Sequence, residues 1–219
     1  MKENTENYNI EEISKKWMEF TNKYCNKSII INDILRNILS RYNSSKRHYH
    51  NLNHIDKMQG SAEKLKNSVT NFDRVFFAIW FHDIVYNPLK NNNEEESAKF
   101  AKSQLKKINY PDFEIVAEMI VRTKNHFFHA ENESPELQLL LDCDLETMGS
   151  KPEIYLINTL NIRKEYNFYP DIIFNKGRTA VLKKFLECDS IYRTEYFKEK
   201  YENQARINIA DELKTIDNG

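Results

Sequence analysis

Four glycines in 219 residues constrain this chain more than any other feature. They stand apart, at Gly60, Gly149, Gly177 and Gly219, so neither a P-loop nor a dinucleotide-binding glycine fingerprint can be assembled. Proline is almost as scarce, and apolar residues recur at helical spacing. The expected fold class is therefore all-α. Ile10, Ile13, Trp17 and Phe20 form the stripe of a first amphipathic helix, and Ile34, Leu35 and Leu39 mark a second beginning near Asn32. A third takes in Asn51 to Leu65, with His54 on its first turns. The segment DRVFFAIWFHDIVY is apolar almost all round and predicts a buried central helix ending before Pro88. NNNEEESAKFAKSQL opens with Asn and acidic residues, as helix N-termini do. Pro111, Pro135 and Pro152 are placed to open further helices, the one from Pro135 closing at Gly149. Two more are expected, from about Thr179 and from Ser190. With no repeat, low-complexity run or clear linker, residues 1–219 are expected to form a single helical domain.

Charge is abundant but balanced: charged residues are 30% of the chain and the formal net charge is -1. That excludes the basic footprint of a dedicated binder of long nucleic acid. No apolar run approaches the length of a membrane span, and the N-terminal MKENTENYNI lacks the apolar core of a secretory signal. Cys25, Cys143 and Cys188 are odd in number and scattered, which predicts small buried thiols in a reducing cytoplasm.

Against this background the histidines are concentrated. Three of the six fall within KRHYHNLNHI, Lys46–Ile55, and a fourth sits in the apolar run FHDIVY. His50 and His54 are four apart, so on a helix they share a face, the spacing by which two imidazoles grip one zinc. Spacing alone leaves open whether both bind metal or one faces substrate. His82 and Asp83 are surrounded by Phe76, Phe77, Trp80, Phe81, Ile84 and Val85. A carboxylate placed there needs a cation or a strong donor, because burying it alone costs several kcal/mol. Asp142 and Asp144 interrupt the leucines of LLLDCDLETMG, and being two apart on a helix they cannot both face one ion. Two imidazoles and two carboxylates suit a hard or borderline divalent ion with positions left for water, the arrangement of metal-assisted hydrolysis. Thr123 and His126 lie three apart on a predicted helix face and can reach a phosphate, although His126 equally suits a helix end. Arg47, Arg163 and Arg178 are candidates for bidentate phosphate contact or for surface ion pairs. His129 reads as a loop residue. Tyr166, Phe168 and Tyr169 read as packing aromatics on which a base can stack.

The ordered fragments RHYHNLNHI, FHDIVY, NEEESA, TKNH, DCDLETMG, IRKEY, GR and ARINIADEL resemble a bacterial family of predicted phosphohydrolases in the HD-domain superfamily. The likeness covers residues 41–213, and YHNLNH is also similar to the YHNxxH motif of cyclic-nucleotide phosphodiesterases. The resemblance implies an HD-domain-like helical bundle. It implies His54, His82 and Asp83 as metal ligands, with Asp144 preferred over its rival Asp142 because the superfamily's ligand precedes a Leu-containing helical stretch. It further implies that His50 protonates the leaving oxygen or holds the phosphate, and that Asn93 and Glu94 line the site.

The function these readings predict is hydrolysis of a nucleotide or related small phosphate ester in the cytoplasm. The catalytic residues would be His50, Asp83 and His126, and Arg47, Asn93, Glu94, Thr123, Arg163 and Arg178 would bind substrate. The cofactor would be one or two divalent ions from among Mn, Mg, Fe, Ni and Zn. A di-iron oxygenase on the same scaffold and a non-catalytic nucleotide sensor are the alternatives, since one fold hosts several activities. No membrane partner is expected, and a homo-oligomer is compatible with everything above.

Overall fold

A computed structural model describes residues 10–218 of the chain. Among the described residues there is no strand; α-helices joined by short turns account for the architecture. The chain sorts into two compact units, Met1–Lys124 and Asn125–Gly219.

The first unit holds α1 (Ile10–Thr21), α2 (Ser28–Tyr42), α3 (Leu52–Lys64), α4 (Phe72–Phe81), α5 (Asn93–Lys107) and α6 (Phe113–Arg122). Its core forms around α4, where every residue from Val75 to Phe81 is buried. A helix apolar on all sides has no solvent face to offer, so its neighbours must enclose it. The stripe of α1 supplies one wall: Trp17 packs edge-on against Phe77, Trp80 and Phe81, and Phe20 stacks on Phe76 at 3.7 Å. Burying side chains of this size contributes roughly 1.5–3 kcal/mol each. Ile10, at the start of that stripe, remains exposed.

The expected end of α4 is wrong by several residues, and the cause is tertiary. The helix stops at Phe81, with His82 as its C-cap, instead of running on toward Pro88. Beyond it the backbone takes partners from elsewhere. Ser97 Oγ accepts from Val85 N–H at 3.0 Å and donates to the Val85 carbonyl at 3.2 Å. Arg47 donates to the carbonyls of Asp83 and Ile84 at 2.6 and 3.1 Å. Nothing in an apolar run announces such competitors. Likewise α6 begins at Phe113, two residues past Pro111, and α2 begins at Ser28, ahead of Asn32.

The second unit holds α7 (Pro135–Leu145), a 3-10 turn (Glu146–Gly149), α8 (Pro152–Glu165), α9 (Asp171–Glu187) and α10 (Glu195–Asp217). Pro135 and Pro152 open their helices as expected, and Ser134 Oγ caps α7 by accepting from Leu137 N–H at 3.2 Å. The helix expected from about Thr179 starts eight residues earlier, at Asp171, where Pro170 and an acidic first turn launch it; α10 starts at Glu195, after Ser190. At Gly149 the backbone lies flush against α10: a Cβ there would stand 2.5 Å from Tyr201 Cβ and 2.6 Å from the Tyr201 carbonyl. Asn208 seals the same junction, donating to the carbonyls of Met148 and Ser150 at 2.8 Å each.

Among the described residues no helix is long and apolar enough to cross a membrane. Cys25, Cys143 and Cys188 are not joined in disulfides. The polar N-terminal stretch read against a secretory signal lies, but for Ile10, outside the described residues.

Candidate metal centre

The imidazoles of the site are aimed by helix ends. Asn51 caps α3, its Oδ1 accepting from the N–H groups of Asn53 and His54 at 3.0 and 3.4 Å, which places His54 on the first turn. His50 precedes that helix, so the shared helical face expected for His50 and His54 does not form; their ring centroids stand 6.1 Å apart. His50 packs against Tyr86 instead, at 4.3 Å between centroids. His48 and His129 are exposed.

At the end of α4, His82 Nδ1–H donates to the Ile79 carbonyl at 2.9 Å, one turn back along its own helix. A carbonyl accepts only, so this bond assigns the Nδ1 proton and leaves Nε2 of the neutral ring as an acceptor. Nε2 faces His54 Nε2 at 3.3 Å and an Asp83 carboxylate oxygen at 3.0 Å. A carboxylate against an imidazole lone pair is two acceptors in opposition, and only a cation reconciles them, whether a proton or a metal ion. The distances suit a metal ion as well as a proton. Two ligands at ~2.0–2.1 Å from one ion, at a tetrahedral angle, stand about 3.3 Å apart. His82 is 1% exposed and His54 4%, so both imidazoles are shut away from solvent.

The two candidate aspartates of α7 are clearly distinguished. Asp142 is fully buried and accepts from Arg193 N–H at 2.8 Å, Thr194 N–H at 2.7 Å and Thr194 Oγ–H at 2.7 Å. It anchors the entry to α10. Burial pushes its carboxyl above the ordinary range, against the pull of those three bonds. Asp144 is half-buried, and His126 Nε2 donates to one of its oxygens at 3.1 Å. Within the first unit, His54 and His82 bring their Nε2 atoms to 3.3 Å, a pair of imidazoles of the kind that can take part in holding a metal ion.

The remaining candidates divide between ring and framework. Glu94 opens α5 with its carboxyl pushed up by burial, and the charge of Asp83 adds to that shift. Asn93 clamps a loop: its amide accepts from Asn87 N–H at 2.9 Å and donates to the Asn87 carbonyl at 3.0 Å. Thr123 is not on a helix face with His126, since α6 ends at Arg122 and His126 lies in the following loop; its hydroxyl donates to the Ile120 carbonyl at 2.7 Å. Arg47 donates to the His50, Asp83 and Ile84 carbonyls between the rings of Tyr42 and Tyr86. Arg163 pairs with Asp171 and holds the Tyr166 and Tyr169 carbonyls. Arg178 grips both oxygens of Glu212 at 2.8 and 3.0 Å. Tyr166 stacks with Phe168 and with Tyr169, and those two rings meet each other at a tilt. Arg193, buried beside Asp142, was not among the residues singled out by sequence; a lone arginine in SIYRTEY carries no periodic or motif signal.

Compared with family models, with curated proteins and with solved structures, the chain matches none.

Proposed function

We propose that this chain is a cytoplasmic, divalent-metal-dependent phosphohydrolase of the HD-domain type, acting on a nucleotide or a related small phosphate ester. The observation that carries the reading is the convergence on His82 Nε2 of His54 Nε2, at 3.3 Å, and an Asp83 carboxylate oxygen, at 3.0 Å. His54, His82, Asp83 and Asp144 would hold the ion, which is drawn from Mn, Mg, Fe, Ni and Zn. When bound, a divalent ion supplies Lewis-acid polarisation of a phosphoryl oxygen and acidifies water.

The chain's own residues do the rest. The bond from His82 to Ile79 fixes which nitrogen faces the ion. His50, outside α3 and packed against Tyr86, is the proton donor to the leaving oxygen, the general-acid task that an imidazole commonly performs. Glu94, its carboxyl raised by burial, stands at the edge of the site as a second proton-holding group.

Purified protein should be loaded with each of the five ions and screened against nucleotides and phosphodiesters, beside Asp83→Ala and His54→Ala. Hydrolysis is expected with at least one ion, and both variants should lose metal retention and turnover together. Full activity in Asp83→Ala would defeat the reading.

A further inference from the structure

Arg193 ties three segments of the second unit to one point. Its side chain is 2% exposed, and its Nε donates to Glu133 at 2.8 Å. Its Nη2 donates to the carbonyls of His126 and Phe128 at 2.9 and 3.1 Å, and its backbone N–H donates to Asp142 on α7 at 2.8 Å. The loop that carries His126 is thereby fixed to the helix that carries Asp144. His126 in turn donates from Nε2 to Asp144 at 3.1 Å, while its Nδ1 is buried with no hydrogen-bond partner. No bond at Nδ1 orients the ring, so its aim is set by the backbone that Arg193 holds and by the Asp144 carboxylate itself.

We infer that Arg193 is a positioning residue for the Asp144 carboxylate, acting through His126. It sets the loop carbonyls, the loop sets the imidazole, and the imidazole holds the Asp144 carboxylate in place. A guanidinium suits this task because its planar fork reaches two carbonyls and a carboxylate at once, which an ammonium does not. The inference rests on the metal reading above, in which Asp144 is a ligand; outer partners of this kind tune metal affinity by about 10–100-fold.

The test is calorimetric titration of the full chain with Mn²⁺, comparing wild type, Arg193→Lys, His126→Ala and the double variant. Arg193→Lys keeps a positive charge against Glu133 but loses the fork. Each single variant is expected to weaken Mn²⁺ binding about 10–100-fold, and the double variant is expected to bind no more weakly than His126→Ala alone. Should Arg193→Lys lose its helical circular dichroism, Glu133→Gln takes its place in the cycle, since it loosens the same guanidinium while keeping an acceptor. Wild-type affinity in the Arg193 or Glu133 variant, or losses that multiply in the double variant, would overturn the positioning role alone. A wild type that takes up no Mn²⁺ would overturn the metal reading and this inference with it.

Discussion

Asp142 and Asp144 stand two residues apart on one helix and do opposite work. Asp142 accepts three hydrogen bonds from Arg193 and Thr194 and fastens the start of α10. Asp144 receives one from His126 and is the carboxylate of the pair proposed above as a metal ligand. Asp142→Asn is therefore expected to cost about 1–3 kcal/mol of stability, read as a lower denaturant midpoint, because buried donors lose their partner. Mn²⁺ affinity should stay intact in that variant, whereas Asp144→Asn should weaken it at least about 10-fold with little change in the midpoint. The sign of the pH effect follows from the raised Asp142 carboxyl. Its contribution to stability is full below the pKa of the unfolded carboxyl and is lost as pH rises through the folded value. In Asp142→Asn that decline should flatten. At this scale the sequence told that one carboxylate of the pair was a ligand candidate, but spacing could not choose between them. The choice depends on Arg193 and Thr194, which lie 51 and 52 residues downstream of Asp142.

Elements were legible wherever their cause was local. The stripe of α1, the acidic start of α5 and the prolines opening α7 and α8 all act within a turn or two of themselves. Where the cause was distant, expectation failed. α4 ends early because Arg47 and Ser97 take the carbonyls and amide that would have continued it. The same limit placed His50 and His126 on helical faces that do not exist, since caps and ends are decided by partners from other segments. The glycines give the sharpest test of packing between elements. Gly149→Ala drives a methyl into the backbone of α10 and should lower stability by about 1–3 kcal/mol, seen as a lower Tm. Gly177→Ala, on α9 with nothing within 4 Å of the added Cβ, should raise it by about 0.5–1 kcal/mol.

For the molecule as a whole, the all-α class was readable from the poverty of glycine and proline and the helical period of the apolar residues. The division into two compact units was not marked: no shift of composition separates Lys124 from Asn125, and the polar segment NHFFHAENES that follows has neither glycine nor proline. Thiol accessibility reports on both units together. Cys25 and Cys143 are buried, and the partly exposed Cys188 has its thiol pushed up by burial while donating to the Lys184 carbonyl at 3.2 Å. Native protein should therefore release one equivalent of chromophore slowly from a disulfide reagent near neutral pH, and denatured protein three at once. Three fast equivalents from the native state would contradict the packing described for Cys25 and Cys143.

A chain with so little glycine must still turn, and guanidinium groups show how. Arg47, Arg163, Arg193 and Arg206 each bind two or more carbonyl oxygens in segments where a helix has just ended. Carbonyl oxygens at helix ends have acceptor capacity that the helix does not use, and these guanidinium groups take it up. Only Asn109, at φ 58°, adopts a left-handed backbone among the described non-glycine residues. The bends are thus written in two places at once, in the segment that bends and in a remote arginine. A graft of residues 125–133 into a foreign host would leave its shape behind with Arg193, and drift in either place is tied to drift in the other.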